Sequence, residues 1–219
     1  MNFLNPNSSK ETFRRHADGI TRLIQEDGIL FRPYSQPSLP YFSALSEQEQ
    51  KDVLANITAY NEICHAVFKK NASLKNTQAM IEATLEYYGW TMKPEDFELI
   101  SEDYLVEIYN QQHTQIFRSF NFFEHSSYTL EDLYCRKWFH LYERDLDKQT
   151  IFIEKVHEFQ MQKPPQRMRL DLPEQKIQEK DTLERLICFS TLEWLVPVFK
   201  GPDMVGLMTL IQVRNGGYS

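Results

Sequence analysis

The residue types that carry nucleophilic or acid–base chemistry occur in this sequence without the spacing that most enzyme motifs require. His125 directly precedes Ser126 and Ser127, and a base beside a hydroxyl nucleophile is the pair that acyl transfer uses. These serines lie outside any Gly-x-Ser-x-Gly elbow, in a segment expected to be a loop before a helix. The sequence also contains no phosphate loop, no Gly-x-Gly-x-x-Gly and no His-Glu-x-x-His motif. We therefore predict that the protein is not an enzyme.

Two carboxylates keep an alternative open, namely a small-molecule enzyme on a cone-like α+β fold. Glu107 and Glu193 are the candidate bases within the predicted strands, where a sheet could bury them beside an apolar pocket. A carboxylate that burial makes more basic would be suited to act as a general base. Two carboxylates that point to solvent would count against this enzyme.

The composition predicts a folded protein that does not itself hold nucleic acid. The chain has 219 residues, of which 42% are hydrophobic and 13% aromatic, enough to build a core. Its net charge of −7 argues against nucleic-acid binding, because phosphate binding requires a concentrated basic face. The basic pairs Arg14-Arg15 and Lys69-Lys70 fit solvated helix faces.

The cysteines and the hydropathy pattern predict a cytoplasmic location. Cys64, Cys135 and Cys188 form neither an even set nor a Cys-x-x-Cys motif, which fits a reducing compartment. The first residues lack the basic region and the apolar run of a signal peptide. No apolar stretch approaches the roughly 20 residues of a membrane-spanning helix, so we expect no membrane contact.

The first part of the chain, residues 1–94, is predicted to be helical. Apolar residues at helical spacing follow Ser8 and Ser9, and Ser46-Glu-Gln-Glu49 is a capping box that opens a helix over residues 46–70. A further helix over residues 75–88 should end at Gly89. Between them, the proline-containing residues 29–45 predict an extended segment. At Met92-Lys-Pro-Glu-Asp the sequence changes from helical patterns to extended ones, and this marks the predicted domain boundary.

The second part, residues 95–214, is predicted to be an α+β domain with a five-stranded antiparallel sheet. The expected strands cover residues 99–109, 115–119, 166–172, 183–199 and 204–213. A short helix should begin after the N-cap Thr129, and a long helix should cover residues 145–160. Residues 172–182 are predicted to be a charged loop or the end of a hairpin.

The order of these elements resembles a PAS domain over about residues 100–214. The chain has two extended segments joined by a polar turn, then a short helix, then Tyr128-Thr-Leu-Glu-Asp-Leu133 and an aromatic segment that closes on Arg144-Asp145. PAS domains have a similar order, with a Gly/Ser-Tyr-Ser-x-Glu-Glu-Leu run, a segment ending in acidic residues, a long helix and three more strands. The resemblance implies a sensory or regulatory module that binds a ligand or a partner and passes a conformational signal to an output domain.

PAS domains commonly hold a small molecule between the sheet and the helices, which implies a ligand pocket here. The candidate lining residues are Phe122, Trp138, Phe139, Tyr142, Phe152, Val156, Cys188 and Trp194. The alternative is that these side chains pack against one another and leave no cavity.

No specific motif indicates a cofactor. Flavin-binding PAS domains of the light-sensing type carry an Asn-Cys-Arg-Phe-Leu-Gln run, and Tyr134-Cys-Arg-Lys-Trp-Phe139 shares only the Cys-Arg pair. Haem would require an axial ligand, for which His140 and His157 are candidates, but a histidine on a helix is more often a hydrogen-bonding residue. The cofactor therefore stays open.

The resemblance also implies partners. In bacterial transcriptional regulators a PAS module often precedes a helix-turn-helix, so we expect either an output domain outside these residues or a module that acts by contact. The amphipathic helices predicted at residues 46–70 and 75–88 could cover the sheet or pack on a second copy, and we expect a homodimer.

Overall fold

The structure is a computed structural model that describes residues 6–29 and 37–218. The helices are α1 (Pro6–Glu26), α2 (Pro40–Ala44), α3 (Glu47–Lys69), α4 (Thr77–Tyr88), α5 (Pro94–Phe97), α6 (Leu130–Cys135), α7 (Trp138–Leu141) and α8 (Leu146–Met161), with a 3-10 helix at Phe120–Glu124. The strands are β1 (Tyr104–Asn110), β2 (Gln115–Arg118), β3 (Tyr142–Glu143), β4 (Met168–Arg169), β5 (Gln175–Glu179), β6 (Leu186–Lys200) and β7 (Asp203–Tyr218). The predicted α+β class is confirmed.

Local capping explains where several helices begin and end. At the start of α3 the Ser46 hydroxyl accepts from the backbone N–H of Glu49, and the Glu49 carboxylate accepts from Ser46, which is the predicted capping box. Thr129 and Asp132 form the same arrangement at α6. Helix α4 ends at Gly89, whose φ of 64° suits a residue without a side chain.

The strands form one curled antiparallel sheet in the order β2-β1-β7-β6-β5-β3, and β4 also pairs with β6. The two central strands are consecutive in the chain and form a long hairpin, β6–β7. The first hairpin, β1–β2, joins this pair through β1 and β7. The chain therefore brings its first and last strands together in the middle of the sheet.

Different elements pack on the two faces of this sheet. Helices α1, α3 and α4 bury their apolar stripes against one face, where they share a core with Val106 and Ile108 of β1 and with Val196 of β6. Residues of α3 and α4 were predicted to cover either the sheet or a second copy, and within this chain they cover the sheet. This core runs across the predicted domain boundary at residue 94, and the boundary itself stays a prediction.

The sheet has more strands than the sequence predicted. Within the described residues there are seven strands instead of five, because β3 and β5 were not foreseen. Strand β5 lies in the segment predicted to be a charged loop or the end of a hairpin, and Ile177 is the one aliphatic residue of Gln175–Glu179. Its pairing with β6, and not its own apolar pattern, makes it a strand.

The segment at residues 29–45 differs from its prediction in part. Pro40–Ala44 is a short helix with proline at its first position, where the missing N–H is not required. Residues 30–36 lie outside the described residues. Glu131 of α6 accepts hydrogen bonds from the backbone N–H groups of Tyr41 and Phe42, and this attaches α2 to α6.

Gly206 of β7 is expected to be intolerant of a side chain. It lies opposite Asn110, and a Cβ at this position would lie 2.4 Å from the backbone oxygen of Tyr109. Because a paired strand cannot move away freely, Gly206→Ala should lower the free energy of unfolding by about 2 kcal/mol. Urea unfolding measures the change.

Gly19 in α1 provides the matched control. A Cβ there would meet Asn61 Oδ1 at 2.7 Å, but this contact is the end of a side chain that can rotate. Alanine also favours the helix, so Gly19→Ala should leave the stability within about 1 kcal/mol of wild type. Equal effects of the two substitutions would contradict the prediction for Gly206.

Candidate functional site

A cavity of about 490 Å³ lies between the curled sheet and helix α8. Its floor is built from alternate residues of neighbouring strands, because successive side chains of a strand point to opposite faces. These floor residues are Leu105, Glu107 and Tyr109 of β1, Leu207, Thr209, Ile211 and Val213 of β7, Cys188, Ser190 and Leu192 of β6, and Gln175 and Ile177 of β5.

Helix α8 forms the roof of the cavity and is attached to the sheet near its carboxyl end. Among its residues, all of which the structure describes, only Phe159 is buried, and it packs with Leu170, Leu195 and Leu207. The lining residues of the helix are Gln149, Phe152, Ile153, Val156, His157 and Gln160. The part of α8 before Val156 therefore spans the cavity, while Val156 also packs against the Phe159 cluster.

Five of the eight residues predicted to line a pocket do line this cavity. They are Phe122, Tyr142, Phe152, Val156 and Cys188. The side chains of Trp138 and Phe139 lie outside what the structure describes. Trp194 lies away from the cavity, with its ring 5.8 Å from the guanidinium carbons of Arg167 and Arg169. A register shift between Leu192 and Trp194 in β6 interrupts the alternation and turns Trp194 to the other face.

A hydrogen-bonded polar cluster lies at the β1 side of the cavity. Glu107 and Arg118 are cross-strand partners in the β1–β2 hairpin, and Arg118 Nε donates to Glu107 Oε1 at 2.9 Å. The Tyr109 hydroxyl donates to Glu107 Oε2 at 2.6 Å and accepts from Gln115. The guanidinium carbon of Arg118 lies 4.1 Å from the centre of the Phe122 ring. Both oxygens of Glu107 are thus occupied.

The charges of this cluster are strongly desolvated. Burial, and then the charge of Glu107, hold the pKa of the Tyr109 hydroxyl well above its usual range. Burial lowers the pKa of Arg144, which also lines the cavity. For Arg118, burial acts downwards, but the attraction of Glu107 and of the nearby tyrosines outweighs it and the pKa is raised. The arginines remain cations at neutral pH because their ordinary pKa lies so far above it.

His125 does not hydrogen-bond to either adjacent serine, the pair that the sequence analysis set aside as a nucleophile and base. His125 Nδ1 lies 2.7 Å from Asn215 Oδ1, and the hydroxyls of Ser126 and Ser127 both donate to the buried carboxylate of Glu179. Glu193, the second candidate base, accepts a hydrogen bond of 2.6 Å from the Tyr104 hydroxyl. It does not line the cavity, whereas Glu107 does.

The residues considered for cofactors are separated in space. Cys135 packs against the core on the other face of the sheet, and burial raises the pKa of its thiol. Cys188 lines the cavity, and burial raises the pKa of its thiol to about 12. His157 lines the cavity from α8, and His140 lies in α7 outside this lining. Within residues 6–29 and 37–218, no group of three or more histidine, cysteine or acidic residues could hold a metal ion.

Sequence reasoning missed the arginines of the cavity. Arg118 and Arg144 were not among the predicted lining residues, although both line it. The predicted hairpin could have identified Arg118, because a residue opposite Glu107 on the neighbouring strand shares its face of the sheet.

Comparisons of the chain with models of known protein families, with curated proteins and with solved structures give no match. Among the helices described, none combines the length and the hydropathy needed to cross a membrane.

Proposed function

We propose that this chain contains a PAS-type sensory module that binds a small, largely apolar molecule between α8 and the sheet. The order of elements supports this proposal. A first hairpin, β1–β2, is followed by short helices, by the long helix α8 and by the strands β5, β6 and β7. This is the order that the PAS resemblance implies for residues 100–214.

The cavity itself is the observation that carries the proposal. A volume of about 490 Å³ is in the range of small-molecule sites, which are mostly apolar with a few placed polar groups. A structural core would instead be filled, because protein interiors are close-packed. The lining therefore suits a ligand better than it suits a core that only supports the fold.

The attachment of α8 suggests how binding could produce a signal. A ligand that contacts Phe152, Ile153 and Val156 would add packing to the part of α8 that spans the cavity. Leu146, Ile151 and Met161 of the same helix are exposed to solvent, so a shift of α8 would change an apolar surface. Such a ligand favours the conformation that it contacts best, and an output domain that senses α8 would respond.

An enzyme on a cone-like fold remains the second candidate because Glu107 is buried on the cavity wall. Its two oxygens already accept from Arg118 and Tyr109, which leaves it poorly placed to accept a proton from a substrate. We therefore propose a binding module and not an enzyme.

We retain a cytoplasmic location, a homodimer and a role in transcriptional regulation as parts of this proposal. Nucleic-acid contacts would belong to an output domain, because the net charge of this chain is −7. Since the apolar stripes of α3 and α4 are buried against the sheet, a dimer interface would use other surfaces. Native mass spectrometry would report a doubled mass for the dimer.

Binding to the cavity can be tested with N-phenyl-1-naphthylamine, a neutral fluorophore whose emission rises in apolar surroundings. We expect a saturable rise in emission with the wild-type protein. Val156→Trp places a large ring in the cavity, and the cost of overpacking should weaken binding at least about tenfold. Fluorescence titration gives both affinities.

Ile151→Trp is the control, since Ile151 lies on the same helix but is 42% exposed and does not line the cavity. It should bind the fluorophore like the wild type. Wild-type protein that leaves the emission unchanged, or equal binding by the two tryptophan variants, would overturn the proposal.

A further inference from the structure

We propose that the solvent side of helix α8 docks a basic amphipathic helix of a protein partner. The contact would consist of an apolar stripe on α8, formed by Leu146, Ile153 and Met161, and of the acidic side chains that border it. This inference rests on the proposed function, because it names the surface of the sensory module that an output segment would contact.

The apolar stripe of α8 is left exposed within this chain. Leu146, Ile153 and Met161 are 77%, 56% and 68% exposed, whereas Phe159 alone among the residues of α8 is buried. The exposed three are separated by about two turns of helix each, so their side chains lie in one row. Covering such a row with a partner removes apolar surface from water, and this favours binding.

The sequence of α8 also makes the helix depend on packing. Four of its residues are β-branched: Thr150, Ile151, Ile153 and Val156. Such side chains lower helix propensity, because the preceding turn restricts their rotamers. Most helical stability in proteins comes from packing of an apolar face, and α8 packs on the sheet chiefly through Phe159 and Val156. A partner on the solvent side would add packing to the rest of the helix.

Acidic side chains border one side of the stripe and select a basic partner. Asp147, Glu154 and Glu158 are exposed, and their spacing places them in a row about a quarter of a turn from the apolar row. Glu158 is paired with Lys155 at 2.7 Å, and the described residues supply no ion-pair partner for the other two carboxylates. Lysines or arginines of a docked helix would meet opposite charge at this border.

The same charges argue against a second copy of this chain as the occupant. If its own α8 lay antiparallel on the stripe, the two acidic rows would face each other and repel. In the parallel sense each row would meet Gln149 and Gln160, which border the other side of the stripe and offer no opposite charge. A negatively charged membrane surface would be repelled as well.

A synthetic peptide tests this surface. The probe is a fluorescein-labelled amphipathic peptide of about 16 residues, the length of α8, with leucine along one face and lysine elsewhere. Fluorescence anisotropy should show saturable binding to the full chain. A peptide of the same pattern with glutamate in place of lysine should bind at least about tenfold more weakly, because the acidic row repels it.

Removing the stripe should abolish most of this binding. Leu146→Ser and Met161→Ser in one chain should weaken binding of the lysine peptide at least about tenfold, and neither residue lines the cavity. Tyr87→Ser is the control, because Tyr87 is 46% exposed on α4, which covers the other face of the sheet. It should bind the peptide like the wild type. Circular dichroism checks that the variants fold.

Reversing one charge tests the acidic row. Glu154→Lys should weaken binding of the lysine peptide at least about threefold, because a repulsion replaces an attraction. Glu82→Lys is the matched control, since Glu82 is exposed on α4 and its reversal changes the net charge equally. An equal loss in the two variants would show that the peptide responds only to net charge and would overturn the inference.

The remaining outcomes separate this inference from the proposed function. A lysine peptide that binds no better than the glutamate peptide, or that binds the Leu146→Ser/Met161→Ser chain as well as wild type, would overturn the docking surface. Native mass spectrometry in which this variant alone changes from dimer to monomer would assign the stripe to a second copy and would also overturn it. Loss of N-phenyl-1-naphthylamine binding with retained peptide docking would remove the proposed function and leave the docking surface.

Discussion

Glu179→Ala is expected to lower the free energy of unfolding by about 4 kcal/mol, because it leaves several buried donors without their acceptor. The Glu179 carboxylate accepts from the backbone N–H groups of Ser127 and Leu186 and from the hydroxyls of Ser126, Ser127 and Thr182. It thereby joins the segment before α6 to the β5–β6 hairpin. Urea denaturation, with the slope checked for two-state behaviour, measures the loss.

Glu174→Ala supplies the comparison for Glu179. Glu174 pairs with Arg214 at the surface, where both side chains are well exposed. Solvent screening makes such a pair worth little, so its loss should cost less than about 1 kcal/mol. A change at Glu179 no larger than the change at Glu174 would show that Glu179 does not hold these segments together.

Arg118→Met is expected to lower the free energy of unfolding by about 4 kcal/mol, as much as Glu179→Ala, because it leaves the Glu107 carboxylate buried without its ion-pair partner. The two side chains are only 10% and 12% exposed, so water cannot replace the guanidinium freely. The Tyr109 hydroxyl would remain as a donor to Glu107. Thermal and urea unfolding of the variant report the effect.

Removing both charges should restore most of the stability that Arg118→Met loses. In the double variant Arg118→Met/Glu107→Leu, neither charge is buried, so the cost should be smaller than that of Arg118→Met by at least about 2 kcal/mol. A double-mutant cycle with Glu107→Leu alone gives the coupling energy. Additive effects of the two substitutions would contradict a coupled buried pair.

Much of the secondary structure followed from local sequence. Ser46 and Glu49 start α3, and Thr129 and Asp132 start α6, because a cap needs only side chains within one turn of the backbone. The long helix α8, the β1–β2 hairpin and the strands β6 and β7 also agree with periodicity. These features depend on residues close in the chain, so a pattern along the sequence is enough to predict them.

The strands β3 and β5, which the sequence did not predict, and the position of Trp194 depend on partners that are distant in the chain. Strand β5 has little apolar pattern and exists through its pairing with β6, and the short β3 exists through its pairing with β5. Trp194 was predicted to line the cavity, but the register shift beside it in β6 turns its side chain to the other face of the sheet. A bulge of this kind has no clear signature in a single sequence.

The sequence by itself determined the α+β class, the approximate extents of α3, α4 and α8, the hairpin and the apolar residues that a cavity could use, because these follow from backbone propensity and from hydrophobic spacing. Only the tertiary structure decided that α1, α3 and α4 cover one face of the sheet and that α8 spans a cavity on the other. Likewise, it decided that Glu107 and Arg118 meet on the cavity wall. Strand register and the packing of layers bring together residues that no local pattern connects, and the charges of the site arise from that packing.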